Sequence, residues 1–148
     1  MTPEGPMRAK RFLLTCAVLF VVALAWNAFV HLVVLRAANA SVQALRRPDL
    51  AGKAWLSLLL TAGIVTLFVW GYGRVARTGS LREGLGYGVF FALLAGLLVD
   101  LNQYVLFPIP AIVAAQWFLG GLVEFCLYGV ITAWLYPPRS AGAAPGIE

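Results

Sequence analysis

Four stretches of this chain are long, apolar and free of lysine and arginine, and they limit its fold more than any motif in it. They run over about residues 12–35, 54–73, 84–106 and 111–136, each near the roughly 20 residues that an α-helix needs to cross a bilayer. Lipid offers no hydrogen bond to a bare peptide group, so only helices or closed barrels span it. The runs are too long for strands and do not alternate. The predicted fold is therefore all-α: a four-transmembrane-helix bundle forming one domain over 12–136. The flanking tails, 1–11 and 137–148, are rich in Pro, Gly and Ala and are expected to be disordered.

Composition agrees that the solvent is lipid. Of the residues, 61% are hydrophobic and 11% charged, whereas soluble domains carry about 25% charged residues. A net charge of +5 would suit nucleic acid, but the basic residues form no single patch. They sit between the apolar runs, where membrane topology places them. The expected partner is the lipid bilayer, and no nucleic acid. Cys16 and Cys126 fall inside runs without ligand spacing and read as small buried residues. MTPEGPMRAKR, an apolar run and then Ala38-Asn39-Ala40 resemble a secretory signal. Yet 12–35 is far longer than the roughly 7–15 residues of a signal core, and it reads as a retained helix.

Lysine and arginine set the orientation. With the N-terminus cytoplasmic, that side holds Arg8, Lys10, Arg11, Arg74, Arg77, Arg82 and Arg139, against Arg36, Arg46, Arg47 and Lys53 outside. The excess favours both termini in the cytoplasm, and the Ala/Leu/Gly/Arg-rich style points to a bacterial inner membrane. The outer loop 37–52 is the one long connection. Its segment SVQALRRPDLAG is expected to form a short surface helix broken by Pro48, with its basic residues at anionic headgroups. Phe107-Pro108-Ile109-Pro110 is a tight turn that makes the third and fourth runs antiparallel neighbours. Trp70, Tyr72, Tyr87, Trp134 and Tyr136 are expected in the inner aromatic belt, and Trp55, Tyr104 and Phe107 in the outer one.

The third run carries a face of small residues. Gly84, Gly88, Ala92 and Gly96 recur at a spacing of four, and the stripe continues into Asp100 and Tyr104. Residues four apart share a helix face, and small faces let backbones approach closely. On the fourth run Gln116, Gly120, Glu124, Tyr128 and Thr132 form a second stripe. Gly84, Gly88, Ala92, Gly96 and Gly120 are thus the expected packing positions.

Tyrosines and cysteines aside, His31, Asp100 and Glu124 are the ionisable residues within the runs. A charge at the bilayer centre costs roughly 2.5–3.5 kcal/mol, so such groups face inward, pair or stay neutral. At about 1.5 Å per residue, Asn27, His31, Asp100, Gln103 and Gln116 fall at similar height. An intramembrane polar cluster of Asn27, His31, Asp100, Gln103, Gln116 and Glu124 follows. Its bland reading is helix glue, worth about 0.6 kcal/mol per polar contact. Its functional reading is a proton relay or cation site, because a carboxyl group and an imidazole held together away from water can exchange a proton. No serine or cysteine stands by sequence beside His31 for nucleophilic catalysis. One histidine and two acids make no metal set, and GLGYG at 84–88 follows no strand, so it is no nucleotide fingerprint. No catalytic residue, metal or cofactor is assigned.

AWNAFVHLVVLR in the first run, LLVDLNQYVLFP in the third and GGLVEFCLYGVITAWLY in the fourth resemble small bacterial four-helix membrane proteins grouped as domains of unknown function. The resemblance covers about 12–137 and implies the architecture, with no activity or site residue. Three readings follow. The first is a self-contained protein, as a monomer or homodimer, that handles a proton, ion or small molecule. The second is an accessory subunit docked in a larger membrane complex through the glycine stripe. The third, ranked last because no catalytic set is seen, is a membrane enzyme acting on a lipid or quinone.

Overall fold

Helical structure fills nearly all of the computed structural model, which describes residues 4–138, and no strand occurs among them. Helix α1 covers Glu4–Phe29 and continues into a π-helical turn, Val30–Val34. A short α2, Arg36–Ser41, and two 3₁₀ turns lead to α3, Ala54–Val75. Helix α4 runs over Leu81–Ala95, a second π turn at Gly96–Asp100 and a last segment, Leu101–Leu106; α5 is Ala111–Leu135. The four long helices are each long and apolar enough to cross a membrane. They form an all-α four-helix bundle.

Two expectations at the edges are corrected. The first helix does not start near residue 12 after an unstructured tail: it already includes Met7–Arg11, a stretch of strong helix formers. The regular helix in the outer loop is Arg36–Ser41, upstream of the segment expected, which holds only 3₁₀ turns, at Gln43–Leu45 and from Ala51. Beyond Pro138, the tail expected over 137–148 lies outside the described residues.

Local chemistry sets the turns. Between α3 and α4 the chain reverses through Gly79, whose φ of +68° favours glycine. Ser80 caps α4 by accepting from the Glu83 N–H, and the Glu83 carboxylate accepts from the backbone N–H groups of Arg77, Thr78 and Gly79 at 2.7–2.9 Å. At the other end Pro108 and Pro110 stop α4 and start α5.

Helices α4 and α5 are the closest pair, and glycine makes this possible. A Cβ on Gly84 would overlap the carbonyl oxygen of Gly129, and one on Gly88 would overlap that of Phe125. Gly96 lies against the Phe118 ring, and Ala92 is buried on the same face. Gly120 is different: it faces α1, where Val30 lies 3.3 Å from the position of its absent Cβ. The glycine stripe of α4 is thus covered by α5 within the chain. Helix α1 contacts α3 and α5, while α3 meets α4 through side chains, the Tyr87 hydroxyl donating to the Phe68 carbonyl at 3.2 Å.

The half of the bundle that carries the described chain ends is filled with aromatic rings. Phe68 is fully buried among Tyr87, Phe91, Phe125 and Tyr128. Tyr72 and Tyr136 are also buried, and Arg8 donates to the Tyr136 hydroxyl at 3.0 Å, tying α1 to the end of α5. Tyr72 and Tyr136, expected in an interfacial belt, are therefore core residues, and half-buried Tyr87 packs against them. Trp70 and Trp134 keep exposed positions, as do Trp55, Tyr104 and Phe107 at the opposite end. Cys16 and Cys126 are free and half-buried.

Candidate functional site

In the other half, toward the Arg36–Lys53 loop, the four helices stand apart around a cavity of ≈ 440 Å³. Its polar lining gathers Asn27 and His31 from α1, Asp100 and Gln103 from α4, and Glu124 from α5. Helix α3 adds Thr61 and Ile64. Five of the six residues expected in a polar cluster share this wall. Gln116 does not: it is absent from the lining, and its buried Oε1 has no hydrogen-bond partner among the described residues.

Glu124 is the fixed point. Asn27 Nδ2 donates to its Oε1 at 2.8 Å and the Tyr128 hydroxyl donates to the same oxygen at 2.5 Å. Asn27 uses its second amide hydrogen on the Ala23 carbonyl, 2.9 Å away, so its side chain cannot swing. With two donors on Oε1, a proton carried by Glu124 must sit on Oε2. Asp100 has no such hydrogen-bond partner among the described residues; its Oδ2 lies beside Gly121, 3.7 Å from where a Cβ would be. The two acids thus differ in how many side-chain donors they meet.

His31 and Asp100 share the cavity wall without bonding to each other. The His31 ring instead receives Asn39 Nδ2 at Nδ1, 3.2 Å away, which assigns its proton to Nε2. The same amide group reaches the His31 carbonyl at 3.0 Å, and Asn39 Oδ1 accepts from Trp117 Nε1 at 3.0 Å. Asn39 is buried, although by sequence it belonged to a loop. It fastens that loop across the mouth of the site, where Val42 packs on Ile109 and Val113.

Both π turns border the cavity and hold His31 and Asp100 respectively. A π turn widens the helix by one residue, and such turns gather at functional sites. It also changes the phase of the helix, which explains a further correction. The α4 stripe does not continue into Tyr104, which is half exposed; Gln103 follows Asp100 into the wall instead. Asn102 is exposed.

Sequence reasoning missed Trp26, Asn39, Trp117 and Tyr128 as members of the site. Tyr128 had a visible signal in its four-residue offset from Glu124. Trp26 and Trp117 had none, because a tryptophan in an apolar run reads as lipid-facing. Among the described residues no three His, Cys, Asp or Glu side chains converge. Comparison with known protein families, with curated proteins and with solved structures finds no match to this chain.

Proposed function

We propose that this chain is a multi-pass protein of a bacterial inner membrane, with both termini cytoplasmic, that binds and exchanges a proton or other cation within the bilayer. One observation carries the reading: two carboxyl groups, Asp100 and Glu124, border a cavity whose lining contains no lysine or arginine. Acids buried in a membrane without a basic partner are costly, and they persist where a mobile cation supplies the missing charge. Glu124 holds its cation or proton at Oε2 because Oε1 is engaged. Asp100 is the second carboxyl group of the wall, without a side-chain donor among the described residues. All four helices of one chain line the site, so it is built without a second copy.

The test is proton movement in liposomes that hold the full chain and an internal pH dye. Wild type dissipates an imposed pH gradient faster than empty vesicles. Glu124→Gln keeps an acceptor for Asn27 and Tyr128, so it stays folded but loses the exchange. Asp100→Asn also loses it. Unchanged rates in both variants refute the reading.

A further inference from the structure

A proton needs no room, yet the site is a half-open cavity of ≈ 440 Å³, within the range of about 300–1,000 Å³ typical of small-molecule pockets. The volume is therefore the part of the site that proton exchange leaves unexplained. Its walls are chemically specific. The rings of Trp26, Trp117, Phe125 and Tyr128 line it together with the two acids. Three of those rings have their polar edges occupied. Trp26 Nε1 donates to the Gly120 carbonyl at 3.1 Å, Trp117 Nε1 to Asn39, and the Tyr128 hydroxyl to Glu124. Each is held in place and leaves its apolar ring to the cavity. Val30, Ile64, Ala95 and Val99 complete an apolar wall.

Aromatic rings beside carboxylates attract an organic cation twice, through the ring quadrupole and through charge. A bare metal ion would use neither the rings nor the volume. We infer that the cavity binds a monovalent organic cation with an apolar body, a quaternary or protonated amine, in exchange for a proton. The inference rests on the cation-exchange reading of Asp100 and Glu124 and adds the substrate class. Charge settles between Asp100 of α4 and Glu124 of α5, and the apolar body lies against Val30, Ile64 and Val99. The other titratable groups facing the acids are His31 of α1 and Tyr128 of α5; α3 presents none. Binding weakens as pH falls, because protons compete for the same two carboxylates.

The probe is benzyltrimethylammonium, set against neopentylbenzene, its neutral carbon isostere, with the full chain in nanodiscs of zwitterionic lipid. Quenching of tryptophan fluorescence reads occupancy. Saturable binding of the cation alone is expected, about tenfold weaker in Asp100→Asn and in Glu124→Gln. Trp26→Leu is expected to bind about fivefold more weakly than Trp26→Phe, since both lose the indole bond and only one keeps a ring. That pair separates ring attraction from a general loss of structure. Equal binding of the two isosteres overturns the inference, as does absence of saturable cation binding. Where cation binding is absent but liposomes of the same protein still dissipate a pH gradient, the organic-cation proposal falls and the proton reading stands. Loss of both in the wild-type protein overturns both.

Discussion

Around Phe68 four aromatic rings lie with centroids 4.8–6.0 Å away. Directly beyond them, with Phe125 and Tyr128 shared between the two regions, the same helices surround ≈ 440 Å³ of space edged by carboxyl and amide groups. The first half is dry and built on backbone contact: Gly84 and Gly88 against the carbonyls of α5. The second is held by side-chain hydrogen bonds and by a loop fastened at Asn39. The difference teaches how a bundle of only four helices can contain a site. Close packing at one end fixes the helix axes, and the π turns at the other let those axes hold polar groups apart. Lipid gives little reason for helices to associate, so packing contacts and hydrogen bonds must do it.

If the aromatic half is what holds the axes, its removal should have the largest effect. Phe68→Ala is expected to lower stability by about 3–5 kcal/mol, measured by unfolding in mixed micelles, whereas Ile64→Ala, on the exposed edge of the cavity, changes little. Comparable losses at both positions would erase the contrast. Next comes the glycine contact. Gly88→Ala must push α5 back and is expected to cost about 1–3 kcal/mol, while Gly86→Ala, with nothing within 4 Å of the new methyl, is neutral or slightly stabilising.

The loop half is tested by Asn39→Ala. It leaves the Trp117 indole and the His31 carbonyl without this partner, at about 1–2 kcal/mol, and should shift Trp117 fluorescence toward that of a hydrated indole. An unchanged spectrum would mean that the loop does not seal the site. The smallest effect concerns the loop's own ion pair. The Arg47 guanidinium, hydrogen-bonded to Asp49 at 2.9 Å with Lys53 also near, holds that exposed carboxyl below its ordinary range. A lowered carboxyl pKa in the folded state contributes stability above the unfolded value, lost only as pH falls through the folded one. Asp49→Asn should leave the melting temperature unchanged at every pH, because a solvated pair is worth so little. A clear loss confined to neutral pH would show that the loop is held by charge, not by Asn39.

Much of this molecule follows from the order of its residues alone. Long apolar runs in a solvent without hydrogen bonds must be helices, and charges must stay at their ends. The spacing of Gly84, Gly88, Ala92 and Gly96 marks a close-packed face, since helical periodicity is a property of the chain. The height of Asn27, His31, Asp100 and Gln103 also follows, because rise per residue is constant. Which faces meet was decided only in three dimensions. Gln116 sits on the same stripe as Glu124 yet is absent from the cavity lining, which the stripe enters only at Gly120. Tyr104 loses its stripe to a π turn, which no period of four anticipates. Asn39 joins His31 and Trp117 only once the loop has folded back. Periodicity records where a side chain points along its own helix. Its partner depends on how helices and loops pack around it, and that is settled by contacts between residues far apart in the chain.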